Sequence, residues 1–347
     1  HREPGGALVW EIGSGYFGCR NPDGSFNPDM FRQNATLEQV KMIEVKLSQG
    51  AKPGHGGILP GEKVTREIAE ARGVQMGEDC ISPASHSAFS NPVELLEFLD
   101  QLRELSGGKP VGFKLAIGHP WEWFAIVKAM LATGKKPDFI VVDGGEGGTG
   151  AAPLEFINRL GMPLTEALLL VHNTLVGANL REDIAIGAAG KITSAFNIAR
   201  TLALGADWCN AARGYMFALG CIQALNCHTG RCPSGVATQD PRRGNKLDVP
   251  LKSERVYNFH KNTLDALQNL LEASGLKHPS ELGPEHIVRR VSKTEVHSYL
   301  DLFPFLEPGA LLEGKTGLTV FDKYWDDARP DTFEPPEFIL KLRETKL

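Results

Sequence analysis

The chain has 347 residues, a formal net charge of −5 and a pI near 6.1, with 42% hydrophobic and 23% charged residues. That balance leaves no basic footprint for nucleic acid, no polybasic amphipathic stretch for a membrane surface and no apolar run near the ~20 residues a membrane span needs. Six cysteines are too few for a disulfide-dense secreted scaffold, so a reducing cytoplasm is expected, where clustered thiols are free to ligate metal.

Residue 1 is His rather than Met, which predicts that something upstream has been lost. The first apolar run, "ALVWEIG" (7–13), opens into "SGYFGCRNPDG", and the second, "KMIEVKLS" (41–48), into "QGAKPGHGG". The segment 49–74 is a long loop leading into a helix. Its Lys52 and Arg72 are either solvated surface charges or a convergent pair for a carboxylate-bearing substrate. "PVELLEFLDQLRELS" (92–106) is a helix by the spacing of Leu95, Leu99 and Leu102, with Ser90 or Asn91 as cap and Gly107 as stop.

"PVGFKLA" (110–116) places Gly112, Lys114 and Ala116 on one side of a strand. An ammonium between two small side chains needs a core carboxylate or an electron-rich partner, and a flat cofactor fits such a vacancy. "DFIVVDG" (138–144) runs into "DGGEGGTGAAP" (143–153), whose glycines let backbone lie against a ligand or simply flex. "DIAIGAA" (183–189) leads into "GAAGKITSAFNIAR" (187–200), which brings Lys191 to the start of a helix carrying Phe196, Ala199 and Ala203 on one face, with Thr193 as cap. A helix N-terminus there suits an anion. "ADWCNAA" (206–212) closes with "CNAAR", a second small-residue turn beside Arg213.

Short β-branched runs that each end in glycine or small residues, alternating with helices, predict buried parallel strands in βα units. Glycine-rich loops past the strand ends choose a barrel, because barrel enzymes build their sites on that face. "GYMFALGCIQALN" (214–226) keeps helical rhythm and carries Cys221 on a helix; Cys227 and Cys232 then bracket "HTGR". This C-x5-C-x4-C run is open to zinc, an iron–sulfur centre or inert thiols. Tetrahedral zinc lacks a well-placed fourth ligand, since His228 directly follows Cys227, and three thiolates fit a three-iron centre better. A long amphipathic helix follows over 253–275, then a Pro-rich tail.

With these pieces assembled, the chain resembles the FMN-binding synthase domain of glutamate synthase, on "GYFGCR" (15–20), "KLSQGAKPGHGG" (46–57), "ISPASHSAF" (81–89), "VGFKL" (111–115), "VDGGEGGTGAAPLEF" (142–156) and "GCIQALNCHTGRCPSGVATQDP" (220–241). The resemblance runs from about Gly6 to Gly275. It implies an α/β fold, a (β/α)8 TIM barrel of the FMN-dependent type, here lacking its first two strands. Residues 1–250 would form strands three to eight with an iron–sulfur loop at 219–236, and residues 251–347 a helical segment packed on the barrel. Two sheet edges would then be exposed.

The resemblance also implies roles. Lys114 stands at the flavin pyrimidine edge and Gln49 is a polar flavin neighbour. Asp143, Gly144, Gly147 and Gly148 belong to the cofactor surface, and Gly190, Lys191, Asn210 and Ala211 to the FMN phosphate region, with Arg213 beside the second small-residue turn expected as a further cofactor contact. Lys52 and Arg72 grip 2-oxoglutarate, and Cys221, Cys227 and Cys232 hold a [3Fe–4S] cluster. The implied reaction adds ammonia to 2-oxoglutarate and reduces the imine to L-glutamate. Ferredoxin or a pyridine-nucleotide-dependent subunit would supply electrons, and a separate glutaminase could supply ammonia.

The family's usual D-G-G…R-T-G loop reads "GAAGKIT" here, and His55 and Ile58 replace a glutamate and a substrate-side glutamine. Two alternatives follow: a flavin oxidoreductase for another oxo acid or amine, and a truncated or non-catalytic iron–sulfur or flavin fragment.

Overall fold

The six apolar runs pair into one parallel sheet. The structure, a computed structural model, describes residues 2–148, 150, 152–153, 155–314 and 316–345; Thr149, Ala151 and Leu154 of the glycine-rich motif, like His1, lie outside the described residues. In chain order the elements through the sheet are β1 (Leu8–Ile12), α1 (Pro28–Ala35), β2 (Val40–Lys46), β3 (Gly57–Leu59), α2 (Arg66–Arg72), β4 (Cys80–Ser82), α3 (Pro92–Leu105), β5 (Val111–Leu115), α4 (Pro120–Thr133), β6 (Phe139–Asp143), α5 (Leu164–Gly177), β7 (Ala185–Ala189), α6 (Ala195–Ala203) and β8 (Trp208–Asn210). The large sheet runs β1-β2-β5-β6-β7-β8, every pair parallel. Its strands follow one another in chain order with helical crossovers between them, as in the wall of a (β/α) barrel. Among the described residues β1 and β8 each have one neighbour in it.

Period two sorts the side chains of this curled sheet. Ile12, Ile43, Val45, Phe113, Ile140 and Ile186 point to the helices and are buried in the main core. The opposite face carries Glu11, Glu44, Lys46, Lys114 and Asp143. Register aligns Glu11 with Glu44, Glu44 with Gly112, and Lys46 with Lys114.

Local chemistry fixes the helix ends. Asn91 caps α3, accepting from the Glu94 N–H at 2.9 Å, and the Glu94 carboxylate accepts from the Ser90 N–H at 2.7 Å. Ser194, not the expected Thr193, caps α6. Ala199 and Ala203 face inward as expected, whereas Phe196, in the first turn of α6, is half exposed.

The helix expected over 214–226 stops early. α7 covers Arg213–Leu219 and ends at Gly220, whose φ of 105° turns the chain out of the helix. Cys221 therefore lies in a loop, not on the helix.

Beyond it come α8 (Pro241–Gly244) and α9 (Val249–Ala273), whose Leu267 and Leu271 pack on Ala195 and Ala199 of α6. The tail is not all helical. β9 (Val288–Arg290) and β10 (Val296–Ser298) form an antiparallel pair, followed by α10 (Tyr299–Leu302), α11 (Ala310–Glu313), α12 (Thr319–Tyr324) and α13 (Glu337–Glu344). Phe321 and Trp325 pack on Phe124 of α4 at ring separations of 5.4 and 5.5 Å. The Asn173 side chain of α5 donates to the Pro304 carbonyl and accepts from the Leu306 N–H, each at 2.9 Å. Burying each such ring contributes roughly 2–3 kcal/mol, enough to hold short helices against the barrel wall. No helix among the described residues is long and apolar enough to cross a membrane.

Candidate functional site

The loops past the strand ends enclose two cavities that meet at Gln49. One, of about 360 Å³, is lined by Gln49, Lys114, Asp143, Gly147, Gly148, Gly190, Lys191, Asn210, Ala211 and Arg213, and also by Cys221 and Cys227. Every residue expected to hold the cofactor is there except Gly144. The Gly144 backbone instead packs behind the wall: its N–H donates to the Ala189 carbonyl at 2.8 Å, and Leu164 and Glu146 fill the space a side chain would need. The second cavity, of about 400 Å³, brings Lys52 and Arg72 together with Gln49, Glu11, Lys46, His55 and Ile58.

Lys114 sits at the floor of the first cavity between two carboxylates, 3.6 Å from Glu11 and 3.8 Å from Asp143. Burial works against its charge, but Asp143, Glu11 and Glu44 outweigh burial and raise its pKa above the ordinary lysine value. Burial pushes the Asp143 carboxyl up, with Lys114 and the Gly50 N–H, 2.9 Å from Oδ2, pulling the other way. Lys114 thus has the carboxylate partners that one of its two readings called for, and it lines the first cavity as well.

The vacancy expected beside it does not. Phe139, delivered by register, fills the space at Gly112: a Cβ there would run into the Phe139 backbone carbonyl first and lie 2.6 Å from its ring. The cofactor-sized space lies at the strand end instead.

At the far end, Gly190 (φ 148°) and Lys191 (φ 49°) form a sharp turn after β7. Lys191 precedes α6 rather than starting it, and its ammonium reaches Asn158 Oδ1 at 3.2 Å. The Trp208 indole donates to Asn210 Oδ1 at 3.2 Å, fixing that amide. Arg213 lies 6.0 Å from the centre of the Phe217 ring.

In the second cavity the Arg72 guanidinium stacks over Phe17 at 4.7 Å and donates to Cys80 Sγ at 3.7 Å. Burial, then Lys46, lower the pKa of Lys52. The β3–β4 pair and α2 shape this wall, where a plain loop was expected up to the helix.

The three clustered cysteines all line one small adjoining cavity of about 20 Å³. Among the described residues no three His, Cys, Asp or Glu side chains stand grouped to hold a single metal ion. The thiols differ in chemistry. Burial opposes ionisation of Cys232, but hydrogen bonds from the Ser234 hydroxyl and from the Ala237, Ser234 and Val236 N–H groups outweigh it and bring the thiol down to about 7. Burial pushes Cys19 and Cys209 up to about 12, which makes them inert. Lys63 donates to the Cys227 carbonyl at 3.0 Å and pins the loop.

Sequence reasoning missed Glu11, Glu44 and Lys46. Lys46 bonds Glu11 at 2.9 Å, and both line the second cavity. The available signal was a charge inside each of two strands otherwise apolar enough to be buried, one in "WEI" and two at alternate positions in "IEVK".

Residues 1–277 match a sequence family described as the conserved region in glutamate synthase. The chain is 43% identical over 290 residues to the glutamate synthase large subunit-like protein YerD of Bacillus subtilis (strain 168), covering 84% of this chain and 55% of that protein. It is 40% identical over 270 residues to the archaeal glutamate synthase (NADPH) of Methanocaldococcus jannaschii, covering 78% and 50%. The chain spans about half the length of the curated relatives it matches. Among solved structures, a double mutant of flavocytochrome b2 with pyruvate bound gives a TM-score of 0.44 at 13% identity, over 80% of this chain and 53% of that one. With four-fifths of its length matched, the chain belongs to the glutamate synthase conserved-region family.

Proposed function

We propose that the chain is an FMN-dependent, glutamate synthase-type oxidoreductase acting in the cytoplasm, which forms L-glutamate from 2-oxoglutarate and ammonia. The observation that carries this reading is the junction of the two cavities at Gln49: one with a buried ammonium at its floor and small-residue turns around it, the other with converging cations. The first fits FMN. Its walls offer backbone at Gly147, Gly148 and Gly190, cations at Lys191 and Arg213 toward a phosphate, and Lys114 toward an electron-rich ring edge.

When bound, FMN would supply the hydride that reduces the imine carbon. The chain's own residues do the rest. Lys52 and Arg72 bind carboxylates and orient the oxo acid. Asp143 holds the Lys114 ammonium and, through the Gly50 N–H, the Gln49 loop between the two cavities.

A [3Fe–4S] cluster on Cys221, Cys227 and Cys232 would relay electrons. A cluster spreads its thiolates over several irons, so the tight grouping a single ion demands is not the relevant geometry. The proximity of Cys221 and Cys227 to the first cavity supports this reading, as does the hydrogen-bonded Cys232 thiol. Ferredoxin or a pyridine-nucleotide-dependent subunit donates the electrons, and ammonia comes free or from a separate glutaminase. Residues 1–250 form the catalytic unit, with the cysteine loop at 219–236, and 251–347 brace it.

His55 and Ile58 favour a second reading, a flavin oxidoreductase for another oxo acid, because both line the cavity of Lys52 and Arg72, with His55 edge-on to Phe156 at 5.4 Å. Titration of the chain with FMN, followed by flavin fluorescence, tests the cofactor. Photoreduction and exposure to 2-oxoglutarate plus ammonium, or to pyruvate plus ammonium, separates the two substrates. Arg72→Ala should raise the 2-oxoglutarate KM at least about tenfold, since a lost charge-assisted carboxylate contact costs about 1.5–3 kcal/mol.

A further inference from the structure

The first strands of the sheet carry two carboxyl groups that the reaction above leaves unused. Glu11 and Glu44 are aligned partners across β1 and β2 on the same face of the sheet. Two carboxylates side by side on one face repel each other, so the pair favours sharing a proton over ionising twice. The groups facing them are Lys46 of β2, Lys114 of β5, Asp143 of β6 and, further out, Lys52 of the loop after β2. Glu11 is the branch point, bound to Lys46 of the substrate-side cavity at 2.9 Å and 3.6 Å from Lys114 of the cofactor-side cavity. Glu44 lies behind it, 7% exposed.

We propose that Glu11 and Glu44 form a pair that shares a single, partly occupied proton, and that binding of a dicarboxylate beside Lys46, Lys52 and Arg72 is coupled to proton uptake by this pair. The coupling rests on the reading of that cavity as an oxo-acid site, and it follows from charge. A bound anion draws on Lys46 and adds negative potential beside Glu11, so Glu11 loses part of its counter-charge. The pair restores neutrality by taking a proton from solvent onto Glu44, shared with Glu11. The position of Glu44 supports this: burial first, and then Glu11, raise its pKa to about 7 against the pull of Lys114, while Lys46 and Lys114 overcome burial and keep Glu11 low. Glu11 and Glu44 are positioning residues, acting through the lysines.

Two measurements decide it. Carbon-13 NMR of the chain labelled at glutamate Cδ should show one carboxyl titrating near neutrality, absent in Glu44→Gln and shifted down by about one unit or more in Glu11→Gln, where the like charge is gone. Calorimetric titration with 2-oxoglutarate in buffers of different ionisation enthalpy should show net uptake of a fraction of a proton at neutral pH, lost in Glu44→Gln. Uptake that persists in Glu44→Gln, or the lack of any near-neutral carboxyl, overturns the inference and leaves the substrate reading intact. Failure of 2-oxoglutarate to bind overturns the coupling together with the substrate reading, and the NMR midpoint still decides the pair. If Glu44→Gln does not fold, Glu11→Gln carries the same test through its lowered midpoint and reduced uptake.

Discussion

At the scale of single residues the charged chain Lys46–Glu11–Lys114–Asp143 dominates, because each member sits beside an opposite charge and burial deepens from Glu11, 39% exposed, to Asp143, 8% exposed. Removing one is costly. Lys114→Met leaves the buried Asp143 without its ion-pair partner, while the exposed Glu11 keeps Lys46, and should destabilise the chain by about 3 kcal/mol in urea unfolding, with loss of FMN binding. Glu44 acts in the opposite sense. It keeps its proton to about 7 in the fold, against an ordinary 4.5. Between those values the folded chain binds a proton that the unfolded chain has released, so this contribution to stability is full below 4.5 and disappears as pH rises through 7. The swing is on the order of 3 kcal/mol, and Glu44→Gln should flatten the decline in urea stability between about pH 5 and about pH 8. Lys114 was legible because glycine and alanine flank it. What fills the space beside Gly112 was not, since alternation along one strand says nothing of what the next strand's register delivers.

At the scale of elements the six strands were legible for a physical reason. Strands buried on both faces read as short apolar runs, and each ends where a glycine or small residue lets the chain turn past the sheet. Their packing leaves little tolerance. Gly112→Ala would drive a methyl group into the Phe139 backbone carbonyl and ring and part β5 from β6, at a cost of about 3 kcal/mol in urea unfolding. Asn91→Ala, which deletes the α3 cap, should cost only about 1 kcal/mol. The α7 error has an equally local origin: apolar spacing continues through Ile222 and Leu225 although Gly220 has already ended the helix, so the stop signal was present and periodicity overrode it. The β9–β10 pair left a weaker trace, three residues to a strand, with β9 exposed throughout and only His297 and Ser298 of β10 part-buried.

At the scale of the whole molecule, residues from distant parts of the chain converge on one face of the sheet. The 49–74 segment supplies Lys52 and Arg72, the strand ends supply Lys114 and Asn210, and the cysteine loop closes over the first cavity. Each segment taken alone had a bland reading; their convergence required the sheet. The cysteines should divide accordingly after anaerobic reconstitution. Cys232→Ser should lower iron and acid-labile sulfide sharply, while Cys209→Ser, an inert thiol pushed up to about 12, should leave both unchanged. The central claim is that the two cavities joined at Gln49 seat a flavin against an oxo acid. Its most direct test is a single anaerobic turnover: the chain loaded with FMN, photoreduced, then mixed with 2-oxoglutarate and ammonium. The account predicts flavin reoxidation with stoichiometric L-glutamate, abolished in Lys52→Ala/Arg72→Ala; a bound, reduced flavin that stays reduced would contradict it.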